Sequence, residues 1–215
     1  MLWSAPYQPR RYVVKVIIIM SEDYKNFYNF VKGLLAAKQL LSRAQKKGCF
    51  IESVCLSASI IDASLRIGII LKHQLNTKSD LLLNELLLQS DNDKIISERE
   101  IYNRSLSEKI ITQSTFSKLE LLYKERNKVI HRYIISKITT EQVLSIIFDY
   151  ELVMCEIREA LDLLEKQQIK ERIGMTVHSN DLTKSDLNKY SKSIIKMINE
   201  KHGNNHLAEQ LKRTT

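Results

Sequence analysis

The chain has 215 residues, a net charge of +8, five glycines, two prolines and three cysteines. So few glycines and prolines in a chain rich in Leu, Ile, Lys and Glu argue against a β sandwich and for an all-α protein, long enough to bury a real core. The cysteines, Cys49, Cys55 and Cys155, are odd in number and form no CxxC pair, so neither a disulfide framework nor a zinc site is indicated, and no cofactor or metal is expected.

Residues 1–20 form an N-terminal arm that holds Trp3, Tyr7 and both prolines, Pro6 and Pro9. Its run Val13 to Met20, VVKVIIIM, is β-branched and is a candidate strand. The simpler alternatives are an apolar arm packed on helices, or an upstream extension if synthesis starts at Met20. Eight residues broken by Lys15 are too short to span a bilayer as a helix. No small-residue cleavage site follows, and Ser21, Glu22 and Asp23 look like a helix start. The protein is therefore expected to be cytoplasmic, without a membrane partner.

Residues 21–172 carry the helical signals. From Ser21, Phe27, Phe30, Val31, Leu34, Leu35 and Leu41 fall at helical spacing, with a stop expected near Lys46, Lys47 and Gly48. Cys49 to His73 is apolar almost all round, as a central helix would be. Asp62 interrupts it, with Arg66 one turn on. An i, i+4 pair is one use for Asp62, and a counter-ion for Arg126 is another. The Leu-rich SDLLLNELLLQ is expected to be helical, with Ser79 as its N-cap, and to close at the SDND loop. That loop lacks the glycine and distal glutamate of a calcium site. Ile95 to Ile111 reads as a short helix.

Thr115 to Tyr133, TFSKLELLYKERNKVIHRY, is a helix with an arginine inside its apolar stripe. Leu119, Leu122, Tyr123, Val129, Ile130 and Tyr133 lie within about 60° of Arg126 at 3.6 residues per turn. Asn127 and His131, four apart, stack beside that stripe, within reach of a guanidinium. A buried arginine costs several kcal/mol unless it is paired. A structural ion pair, or an arginine snorkelling at a helix interface, is the plain explanation, and a functional site is the other.

Thr139 and Gln142 have capping-box spacing and open a long helix reaching about Arg172. Ile147, Tyr150, Met154, Ile157, Leu161 and Leu164 form its lengthwise seam. Residues 173–215 are then linker, an amphipathic helix from Lys184 to about Lys201, and a tail. His202 and His206 are four apart, but Gly203 lies between them, and no metal site is expected there.

The segment Arg126 Asn127 Lys128 Val129 Ile130 His131 Arg132 Tyr133 resembles the R-N-x-x-x-H-x-Y form of the HEPN motif, R-x4-6-H. The resemblance covers Phe27 to Leu164 and implies a HEPN-like helical bundle with long antiparallel helices, here carrying an N-terminal arm and an extra C-terminal helix. It further implies a metal-independent endoribonuclease acting across a homodimer and leaving 2′,3′-cyclic phosphate ends. By that resemblance His131 is the general acid/base, Arg126 the transition-state clamp, and Asn127 the orienter of His131 or of RNA. Imidazole exchanges protons near neutrality and guanidinium is a fixed cation, as such cleavage requires. The positive net charge suits an RNA partner. Tyr133 matches a tyrosine that, in related toxins, a nucleotidyltransferase antitoxin modifies with AMP; ordinary packing is its other use. The implied role is a toxin or antiphage effector that cleaves tRNA or mRNA. The alternatives are a non-catalytic HEPN-like module that binds RNA, nucleotide or protein, and a purely structural helical dimer.

Overall fold

The computed structural model describes residues 22–87 and 95–176, with the side chains of 22–25 excluded. The N-terminal arm, the SDND loop, the Lys184 to Lys201 segment and His202 and His206 lie outside the described residues. Within them the protein is all-α: α1 (Glu22–Lys47), α2 (Phe50–Thr77), α3 (Glu98–Ser107), α4 (Gln113–Arg132) and α5 (Thr140–Glu171), with one 3-10 turn at Asn84–Leu86.

Local chemistry sets most of the ends. Gly48 breaks α1 from α2 with φ of +69°, a conformation that costs a glycine little. Ser97 caps α3 and Thr139 caps α5, each in a reciprocal capping box, with Glu100 and Gln142 respectively. Thr112, rather than a residue within the 115–133 stretch, caps α4 by accepting from the Thr115 amide.

α2 is the centre of the bundle. It is long and apolar enough to cross a bilayer, yet 67% of its most apolar window is buried among the other helices. α1 returns against it, and α5 runs beside it in the same direction. Gly68 of α2 faces Leu161, and Gln168 of α5 donates to Gln74 Oε1 at 2.9 Å and to the Leu71 carbonyl at 3.2 Å. On the expected α5 seam, Ile147, Tyr150, Ile157 and Leu161 are buried, with Met154 and Leu164 partly so.

A Cβ on Gly68 would sit 2.9 Å from Leu161 Cδ2 and 3.0 Å from Ile110 Cγ2. The α2/α5 contact therefore depends on the missing side chain. Gly68→Val should destabilise the fold by roughly 1–3 kcal/mol through overpacking, read as a lower denaturant midpoint with an unchanged slope.

The Leu-rich piece departs from expectation. Among its described residues, 81–83 lack regular structure and Asn84–Leu86 form a 3-10 element; Ser79 caps no helix. Gln74 of α2 supplies the reason, since its side-chain amide donates to the Asp80 and Leu81 carbonyls at 3.2 and 3.3 Å. Those carbonyls are satisfied without helix, and Leu86 and Leu87 are buried against the core.

Candidate functional site

α4 carries the motif. Its buried stripe is Thr115, Leu119, Leu122 and Val129, and Arg126 falls in line with it. α5 packs antiparallel on one side, where the Tyr150 hydroxyl donates to the Leu122 carbonyl at 3.3 Å and Glu156 accepts from Thr115 at 2.9 Å. α3 packs antiparallel on another, where Arg99 makes a two-pronged pair with Glu120 at 2.9 and 2.7 Å.

Arg126 points inward. NH1 donates to Glu98 at the start of α3, and the guanidinium carbon lies 4.8 Å from the centre of the Tyr123 ring, a cation–π contact. NH2 donates to Asn127 Oδ1 at 3.3 Å, while Nε is buried with no hydrogen-bond partner among the described residues. Burial works against the charge on Arg126. The Glu98 hydrogen bond and charge, with Tyr150 and Tyr102, more than offset it, holding the guanidinium above its ordinary range.

Glu98 is held in turn. Its other oxygen accepts from the fully buried Tyr102 hydroxyl. Burial first, and then the Glu98 charge, push the Tyr102 phenol up, so it remains a donor. Asp62 makes the i, i+4 pair with Arg66 at 2.7 Å. The ion-pair partner of Arg126 is Glu98 and not Asp62, although burial and the neighbouring charges, Arg126 among them, act on the raised Asp62 carboxyl.

The motif residues do not converge as expected. Asn127 meets Arg126, but His131 is exposed, one residue before the helix ends, and makes no side-chain hydrogen bond or ion pair among the described residues. Five residues on a helix turn a side chain by about 140°, so Arg126 and His131 leave the axis on different sides. Ile130 and Tyr133, expected on the core face, are 41% and 40% exposed, and Ile134 and Ile135 beyond them are 94% and 83% exposed. The end of α4 runs past the start of α3, where Glu98 already meets Arg126. Exposed apolar residues thus flank His131 in sequence at this end of α4.

Glu98, Tyr102 and Tyr123 are the members of this cluster that the motif does not name. In the structure the Ser97 capping box puts Glu98 at the start of α3, and no local signal ties it to a position 28 residues later. Among the described residues no group of three His, Cys, Asp or Glu side chains is arranged to hold a metal ion. Compared with models of protein families, with curated proteins and with solved structures, the chain matches none.

Proposed function

We propose that the protein is a metal-independent endoribonuclease of the HEPN type, cytoplasmic and acting as a homodimer on tRNA or mRNA, in the role of a toxin or antiphage effector. The observation that carries this is the R-N-x-x-x-H-x-Y motif at the end of α4 in an all-α bundle, with a partly buried arginine that keeps unspent donors and an exposed histidine five residues on.

In this mechanism His131 takes the proton from a ribose 2′-hydroxyl, which attacks the adjacent phosphorus. Arg126 donates to the phosphorane oxygens as negative charge builds there, and Asn127 keeps the guanidinium turned toward them. The 5′-oxygen leaves, taking a proton from a histidine, and the products are a 2′,3′-cyclic phosphate and a 5′-hydroxyl. Two copies of the motif around one cleft supply one imidazole as base and one as acid. The two-fold arrangement also answers the divergence of Arg126 from His131, because a partner chain can bring the second set of groups. Ile130, Ile134 and Ile135 are the apolar surface such a partner would cover. Tyr133, 40% exposed, is open to AMP transfer by a nucleotidyltransferase antitoxin.

One observation favours the second reading, a non-catalytic HEPN-like module binding RNA, nucleotide or protein. Arg126 already has an anionic partner within its own chain, Glu98.

Purified protein incubated with total cellular RNA in EDTA, with product ends mapped, tests the first reading against the second. Cleavage leaving cyclic phosphate ends, at a rate EDTA does not change, is the expected result. Inhibition by EDTA that added metal reverses would count against the mechanism, and absence of cleavage by folded protein would shift the assignment to the binding module.

A further inference from the structure

Among the described residues Arg66 is buried and Arg126 partly buried, and the two are used differently. Arg66, 8% exposed, commits every nitrogen: Nε to Asp62 at 2.7 Å, NH1 to the Leu86 carbonyl at 3.2 Å and NH2 to the Ile96 carbonyl at 3.1 Å. It ties α2 to the chain on both sides of the segment leading into α3, a structural task in which three of its five N–H groups are spent and no nitrogen lacks a partner.

Among the described residues Arg126 commits only NH1, to Glu98, and NH2, weakly, to Asn127. Of the five N–H groups in a guanidinium, about three are therefore unspent. Its Nε is buried without a partner among the described residues. Leaving a buried donor orphaned costs roughly 1–3 kcal/mol, so an arginine serving stability alone is expected to look like Arg66. Arg126 instead is fixed at one corner and along one face, with donors in reserve for an anion.

The group that fixes the corner is itself immobilised. Glu98 is the first residue of α3, where the helix dipole favours a carboxylate. Tyr102, one turn on and 0% exposed, donates to one oxygen, leaving the other for Arg126. Tyr123 closes the guanidinium face at 4.8 Å. We propose that Glu98, anchored by Tyr102, is the positioning residue that orients the Arg126 guanidinium toward a phosphate of RNA. The proposal rests on the ribonuclease reading. Glu98 does not touch the substrate; it acts through Arg126, and without it the guanidinium is free to swing on its three-carbon stem.

The test compares wild type with Glu98→Gln, Glu98→Asp, Tyr102→Phe, Arg126→Ala and the double variant Glu98→Gln with Arg126→Ala. Steady-state cleavage of one RNA substrate is measured for each, with circular dichroism and thermal unfolding as folding controls. Glu98→Gln should lower kcat about 10- to 100-fold with KM little changed, as misplacing a pre-oriented group does. Glu98→Asp, which keeps the charge one methylene short, should recover part of that loss. The double variant should be no slower than Arg126→Ala, because Glu98 has nothing left to position. A folded Glu98→Gln protein cutting at the wild-type kcat would overturn the proposal. So would a double variant slowed by the product of the two single effects. If Glu98→Gln fails to fold, Tyr102→Phe decides: a fall in kcat supports the role, and a wild-type kcat overturns it. Absence of cleavage by wild type would instead bring down the ribonuclease reading, and the positioning role with it.

Discussion

Replacing His131 with alanine should abolish RNA cleavage and leave the bundle as stable as before. His131 is exposed and has no side-chain partner among the described residues, so its truncation should move stability by no more than about 0.5 kcal/mol. Loss of the group that carries the proton should cost roughly 10²–10⁴ in rate. Cleavage of total RNA and thermal unfolding, run on the same preparation, read both. A folded His131→Ala protein that still cuts at the wild-type rate would remove His131 from the chemistry. Because its surroundings at the end of α4 are exposed apolar groups, the size of the dimer should be checked alongside by light scattering, so that lost assembly is not mistaken for lost chemistry.

Arg126→Ala has the second large effect, and it should differ in kind. Removing the guanidinium strips Glu98 of its counter-charge in a site where that carboxylate is 16% exposed. Breaking a buried pair by deleting one partner costs about 3–5 kcal/mol; the lower end is expected here, because Tyr102 still donates to Glu98. Cleavage should fall by roughly 10²–10³ as well, the loss typical of removing one preorganised donor to a developing oxyanion. The two losses separate in the double variant Arg126→Met with Glu98→Gln, which removes both charges together. Stability should return toward wild type in a denaturant titration, while cleavage stays lost. Return of cleavage with stability would mean that Arg126 contributes only to folding.

These two variants also distinguish the ribonuclease from a structural helical dimer. In a dimer held only by packing, His131→Ala would be silent in every assay, and Arg126→Ala would act through stability alone.

Much of the architecture was legible in the sequence because it is decided within a few residues. The absence of proline after Pro9 and the 3.6-residue stripes specify helices, and the backbone groups left open at helix ends select their caps nearby. Thr139 with Gln142, Gly48, and the uniformly apolar run that became α2 are all of this kind. The Asp62–Arg66 pair is too, being one turn apart on a single helix. The arginine in the stripe of α4 was equally visible, since a charge among leucines needs no third dimension to stand out.

Tertiary structure alone decided the rest. The leucines at 81–83 carry a helical composition, but Gln74 captures the carbonyls of Asp80 and Leu81 and packing draws Leu86 inward, so a local preference gives way. Ile130 and Tyr133 share the angular position of the core stripe but extend past the α3 start, and periodicity does not report whether a neighbour is there to cover a side chain. The identity of the Arg126 partner was likewise invisible. Glu98 lies 28 residues away at the start of a different helix, and a charge pair across such a distance in sequence is made only by the fold. The sequence by itself determined the helices, their caps and the presence of an unusual arginine and histidine on one of them. The packing of α3 against α4 determined that the arginine turns inward to a carboxylate, while the histidine, one residue before the end of α4, is exposed.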